Sequence, residues 1–195
     1  MEFKKTFLLS VFALIFISLL GRGQTLLTPT SYFVDKQIDN QLKKFSWIDT
    51  GTLKNSMTIK VFWNTNTFFN QTLDCYTKSY LIKDTIYIAG YMTGELGWGF
   101  QLVLVKDSCI AASFGLSDDN VYKYNKSDVD SMSFILLPNV SQKVTLSKRP
   151  SYQKGEIISG AIELKSVPYY YAVLDGEFRI ELKSYFKTAA IKQSD

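Results

Sequence analysis

From Met57 onward the apolar residues recur at every second position, and that period limits what the chain can fold into more than any other feature. The last run is the cleanest: Phe178, Ile180 and Leu182 fall on one face, and Glu177, Arg179, Glu181 and Lys183 on the other. Side chains that alternate in this way belong to a strand with one buried and one wet face. Candidate strands cover 58–64, 74–82, 85–92, 100–105, 110–114, 132–137, 143–147, 157–165, 169–174 and 177–186. Turn signals separate them at Lys83-Asp84, Lys106-Asp107-Ser108 and Asp175-Gly176, the last being the strongest because Asp-Gly readily supplies positive φ. Short strands at near-regular spacing predict an all-β fold, an antiparallel sandwich or barrel of about 8–10 strands. A regular alternation of strand and helix, the mark of a parallel sheet, is absent.

One segment departs from the period of two. Val34, Ile38, Leu42 and Phe45 follow helical steps, with Asp35 placed to cap or to complement the first turn and Lys43 and Lys44 suited to the last. Residues 34–48 are therefore predicted to form one short N-terminal helix.

The start of the chain has the layout of an export signal. Lys4 and Lys5 precede an uncharged, nearly all apolar run from Phe7 to Leu20, and Gly21-Arg22-Gly23 puts small residues where a signal peptidase reads. The run is shorter than the roughly 20 residues of a spanning helix. The expectation is a signal peptide over 1–23, a single β-rich domain over 24–195, no membrane span after cleavage, and a periplasmic or extracellular location. The brief Lys-Lys start looks bacterial.

Charge and residue usage exclude more than they identify. Removing Lys4, Lys5, Arg22 and Glu2 with the signal lowers the net charge from +4 to +2. The cations are scattered, so a nucleic-acid partner is not expected. The chain has no histidine, so imidazole-based nucleophilic triads and imidazole zinc sites are unavailable. No cofactor or metal is implied. Cys75 and Cys109 are the two cysteines. In an oxidising compartment an even pair reads as a disulfide, worth about 3–4 kcal/mol.

Four segments are candidate sites. Ala111-Ala112-Ser113-Phe114-Gly115 echoes a nucleophile elbow, but without a strand-turn-helix context or a histidine it reads as plain strand. Asp118, Asp119, Asn120, Asn125, Asp128 and Asp130 gather oxygen ligands, yet off the spacing of a calcium loop, and read as a solvated loop. The segment from Gly94 to Gly99 carries Glu95 and Trp98 on a pliable backbone, where an aromatic can grip a sugar ring or a partner. Pro168-Tyr169-Tyr170-Tyr171 puts Tyr169 and Tyr171 on one face if extended; with Trp98, Trp63 and Phe68-Phe69 these rings form either sheet packing or an aromatic platform. Asn70, Asn125 and Asn139 head glycosylation sequons, idle in a bacterial host. No segment carries a family-specific motif, and the Gly-x-Trp of lipocalin barrels is missing, since Phe45-Ser46 precede Trp47.

The expected function is a non-catalytic binding module that engages a protein, hydrophobic or saccharide ligand through loops or a sheet face. A periplasmic inhibitor or immunity-type protein is one instance. The expected binding residues are Glu95, Trp98, Tyr169 and Tyr171. The alternative is a carboxylate-dependent enzyme such as a glycoside hydrolase, drawing on Glu95, Glu156, Glu163, Glu177 or Glu181.

Overall fold

The computed structural model describes residues 27–45, 47–49, 52–92 and 96–192, and the side chains of 47–49, 52–56, 96 and 192 are not part of that description. The expected signal segment and Glu95 lie outside the described residues. The chain is nearly all β, as its alternation requires. In order come β1 (Thr30–Ser31), β2 (Phe33–Val34), helix α1 (Gln37–Leu42), β3 (Trp47–Asp49), β4 (Thr52–Trp63), β5 (Asn66–Ile82), β6 (Thr85–Tyr91), β7 (Leu96–Val105) and β8 (Ser108–Ser117). There follow β9 (Tyr122–Lys123), β10 (Phe134–Leu137), β11 (Asn139–Leu146), β12 (Ile157–Ser166), β13 (Tyr169–Tyr171), β14 (Glu177–Ala189) and β15 (Ile191–Lys192).

The strand order makes the sheet a barrel. β4 to β8 form an antiparallel meander, and β10 pairs onto β8 from Phe134↔Leu116 to Leu137↔Ser113. Only Pro138 separates β10 from β11, which continues antiparallel to β12, then β14. β14 pairs back onto β4 from Phe178↔Trp63 to Ser184↔Met57, so the ladder returns to its start. Closure removes the exposed strand edges that an open sheet would leave.

The seam between β8 and β11 is closed differently. Pro138 has no N–H to donate, and beyond it β11 leaves β8. The Asn139 side chain spans the gap, donating to Ala111 O at 2.9 Å and accepting from Ser113 Oγ at 3.0 Å. The N-terminal segment fills the rest: β1 pairs with β8, β2 runs parallel to β11, and Gln142 Nε2 donates to Thr30 Oγ1 at 2.7 Å.

This use of residues 33–34 shortens the helix expected over 34–48. Val34 is in a strand and half exposed, and only Ile38 and Leu42 are buried, against Phe45, Ala161 and Tyr185 on the outer wall. Asp35 is not the N-cap: that position falls on Lys36, with no side-chain cap bond, and Asp35, one residue earlier, accepts from Gln37 N at 2.9 Å through Oδ1. Strand pairing outweighed helical spacing at one end. Among the described residues no helix is long and apolar enough to cross a membrane.

The expected disulfide is absent: Cys75 and Cys109 are both buried thiols. The ladder explains why. Cys109 pairs with Leu104, Leu104 with Ile86 and Ile86 with Leu81, so Cys109 lies level with Leu81, six residues along β5 from Cys75. Six residues span about 20 Å of strand, and two further strands intervene, whereas a disulfide needs Cα atoms within about 7 Å. Burial pushes the Cys109 thiol up, against a weak contact from Thr30 that lowers it.

Inside the barrel, β14 contributes Phe178, Ile180, Leu182, Ser184 and Phe186, with Arg179, Lys183 and Lys187 outside. Bulky rings fit because glycines face them across the ladder. Gly90 lies opposite Phe100 and Gly160 opposite Phe186, and these two rings meet at 5.9 Å. The outer wall carries direct cross-strand ion pairs, Lys183–Glu163 at 3.0 Å and Lys165–Glu181 at 2.8 Å.

Candidate functional site: the aromatic end of the barrel

One end of the barrel is built from tyrosine and tryptophan. After the bend at Val167-Pro168, the chain resumes pairing with β14 as β13, placing Tyr169 opposite Phe178. On its other side β13 pairs with β9, placing Tyr171 opposite Tyr122. Directly opposite residues share a face, and this face is the inner one: Tyr122, Tyr169 and Phe178 are fully buried and Tyr171 nearly so, while Tyr170 is half exposed on the other side. Trp98 enters from β7, opposite Gly115 of β8. The missing side chain at Gly115 makes room for Tyr122, whose Cζ would stand 2.9 Å from a Cβ there.

The rings form one continuous cluster. Tyr122, Tyr169 and Tyr171 are mutually 5.2–6.0 Å apart by ring centroid, and Tyr171 meets Phe178 edge-on at 4.5 Å. Phe69 lies 4.9 Å from Trp98. Toward solvent, Trp63 stacks on Phe178 at 6.1 Å, and Phe68 stands edge-on to both. Trp63 Nε1 donates to Asp175 O at 3.1 Å, and the indole lies over Gly176, where any Cβ would collide with it. The Asp175-Gly176 turn is thus held by a ring from the neighbouring hairpin, a reason for its glycine beyond its φ of 152°.

Some polar atoms buried in this cluster lack a well-aligned partner. Trp98 Nε1, Tyr169 Oη and Tyr171 Oη have none, whereas Tyr122 Oη donates to Leu116 O at 3.3 Å. Strict alignment is lacking, yet Trp98 stands beside Tyr169, and Tyr169 and Tyr122 beside Tyr171, so these polar groups face one another near hydrogen-bonding reach. Burial, reinforced by the neighbouring phenols, raises the pKa of Tyr122 and Tyr169, and burial raises that of Tyr171 against its neighbours. All three stay neutral donors.

Beside the cluster a groove of about 290 Å³ opens between β9 and the β13–β14 loop. Tyr171 belongs to both cluster and groove. Lys123, Lys126, Tyr170 and residues 172–176 complete its lining, and Lys126 bonds Asp175 at 2.7 Å. Exposed apolar residues surround it: Trp63, Phe68, Val173 and Leu174. A larger groove of about 490 Å³ lies on the outer wall beside α1, lined by Leu42, Ile157, Lys43, Lys148 and Lys187 among others. None of its described lining residues is a buried group without a partner.

Three of the four expected binding residues therefore meet, but inside the barrel. Trp98 is 3% exposed, so it is not the exposed loop anchor expected of it. β7 extends back to Leu96, and position 98 is one of its inward rungs. Tyr169 and Tyr171 share a face as expected, while Glu95 lies outside the described residues. Tyr122 was missed because its flanks read as polar loop; the Tyr122-x-Tyr124 alternation was its only signal. The other segments have ordinary roles. Ala111 to Gly115 are strand residues of β8. Asp128 accepts from the Asn125 backbone and side chain, and among the described residues no three acidic or thiol groups gather as metal ligands. Asn139 is committed to the seam. Chemically, the end offers neutral donors and apolar faces, a setting for binding. No protein-family model, curated protein or solved structure matches the chain.

Proposed function

We propose that this chain is an exported, non-catalytic binding module that takes a hydrophobic ligand at the aromatic end of its barrel. The observation that carries the reading is the groove floored by Tyr171, bordered by exposed Trp63, Phe68, Val173 and Leu174. Mouths of β-barrels are recurrent ligand sites, apolar with a few placed polar groups. The glutamates support the non-catalytic side. Glu163, Glu177 and Glu181 each pair with a cation on the outer wall, and Glu156 clamps the backbone of Ser151 and Tyr152.

Chemical-shift mapping with a panel of small ring compounds and sugars tests the reading. Saturable shifts should cluster at residues 63, 68, 122–126 and 169–176. Shifts gathered instead around Lys43 and Lys148, or none across the panel, refute it. Intact mass of the protein from its own host tests export, which requires a chain beginning at Gln24.

A further inference from the structure

The closed ladder leaves one strand half paired. β5 runs for 17 residues and β6 for 7, and the ladder between them ends at the rung Tyr76↔Tyr91. β15 takes the other side of β5 only at Tyr80 and Leu81. Above Tyr76, the rungs from Asn66 to Leu73 are made with β4 alone among the described residues. Every second residue of a strand turns its N–H and C=O to the same side. This stretch therefore presents a row of main-chain donors and acceptors to solvent, over about 27 Å.

Exposed edges of this kind are normally blunted by charge, proline or a bulge. Asn66-Thr67-Phe68-Phe69-Asn70-Gln71-Thr72-Leu73 holds no charged residue, no proline and no glycine. Its irregularity is at Phe68, skipped where the register shifts between Val61↔Phe69 and Phe62↔Thr67. From Phe69 to Leu73 the rungs with Val61 to Met57 are unbroken. Asn70, Gln71 and Thr72 are exposed, and exposed Trp63 and Phe68 add apolar surface at the same end.

We propose that a second copy of this chain covers the edge, β5 against β5, antiparallel about a two-fold axis close to Gln71. Backbone chemistry limits the occupant to another extended chain, because only a strand repeats donors and acceptors at this spacing. Two features favour a copy of the same strand. The edge is uncharged, so two identical edges meet without repulsion. Its free span is also bounded at both ends, by the turn after Trp63 and by the first β6 rung at Tyr76. In an antiparallel pair each copy's turn falls beside the other's first β6 rung, so the two spans match. A two-fold contact uses both edges at once and stops at two copies, which spares the edge from open-ended pairing. This main-chain pairing is independent of any ligand in the groove beside Tyr171.

Sedimentation velocity over a dilution series from about 1 mM to about 1 μM tests the pairing, because a contact this small belongs to the weak class. Dimers should form at the concentrated end and dissociate on dilution. Amide hydrogen exchange in the dimer should slow at alternate residues between Phe69 and Leu73. Gln71→Lys and Gln71→Glu change an exposed side chain, and each should weaken the dimer about tenfold by setting like charges face to face. Mixing the two variants should restore it, a result that misfolding cannot imitate. A protein that stays monomeric at every concentration overturns the proposal. So does a dimer indifferent to both charges, protection that lies elsewhere, or growth beyond two copies. Edge protection that persists in the monomer overturns it as well, because another segment of the chain or a foreign peptide then covers β5.

Discussion

Replacing Gly160 with alanine tests how tightly the wall closes around its aromatic core. Gly160 lies on β12 between Leu146 of β11 and Phe186 of β14. An added Cβ would stand 2.5 Å from Phe186 Cζ and 2.8 Å from the Thr145 carbonyl oxygen, whereas ordinary contact begins near 3.4 Å. Two effects favour the change. A buried methyl contributes about 0.8 kcal/mol, and reduced freedom in the unfolded chain about 0.4–1 kcal/mol, because Gly160 is not among the positive-φ residues. Two obstacles oppose it. The Phe186 ring is fully buried against Phe100, and the Thr145 carbonyl belongs to the β11–β12 ladder. Overpacking of this kind costs about 1–3 kcal/mol. With a backbone atom as one obstacle, the cost falls at or above the upper end, leaving a net loss of about 1–2 kcal/mol. Urea unfolding should show a lower midpoint at unchanged slope, and thermal unfolding a fall of about 3–6 °C. In a Phe186→Leu background the penalty should shrink, because the ring carbon nearest the new methyl is gone. A variant as stable as the parent, or a penalty identical in both backgrounds, refutes the argument.

Three further outcomes follow from the same geometry. Neither thiol should react with a thiol reagent in the folded protein, and both should react on unfolding without reductant; one disulfide per chain would contradict the register that separates Cys75 from Cys109. Asn139→Ala removes both bridges to β8 and should cost about 1–3 kcal/mol by urea titration, leaving the Ala111 carbonyl without this donor; an unchanged midpoint would mean that the seam does not need them. At Glu156, burial opposes ionisation, but the backbone of Ser151 and the ammonium of Lys148 outweigh it and hold the carboxyl below its ordinary range. Its contribution is therefore present above the unfolded value of about 4.3 and is lost as pH falls through the lower folded value. Glu156→Gln should flatten that acid limb of the stability profile, and an unaltered limb would count against the clamp.

The sequence by itself determined where strands run and which side chains face inward. Phe178, Ile180 and Leu182 point into the barrel and Arg179 and Lys183 away from it because side-chain direction alternates along any strand, a rule that needs no partner. Turns were legible for the same local reason: Lys83 and Lys106, in predicted turns, both take positive φ. What needed the tertiary structure was every fact about which strands meet. Sandwich and barrel share one pattern of alternation, and the choice rests on β14 pairing with β4 and β10 with β8. The same pairing lifted Cys109 to the level of Leu81, drew Val34 out of a helical face, and turned Trp98 from a loop anchor into an inward rung. It also carried Tyr122 across from an apparent loop to face Tyr171, completing a cluster whose members come from β4, β5, β7, β9, β13 and β14. Period and turn chemistry act over a few residues and are written in them, whereas register between distant strands depends on packing the whole core at once.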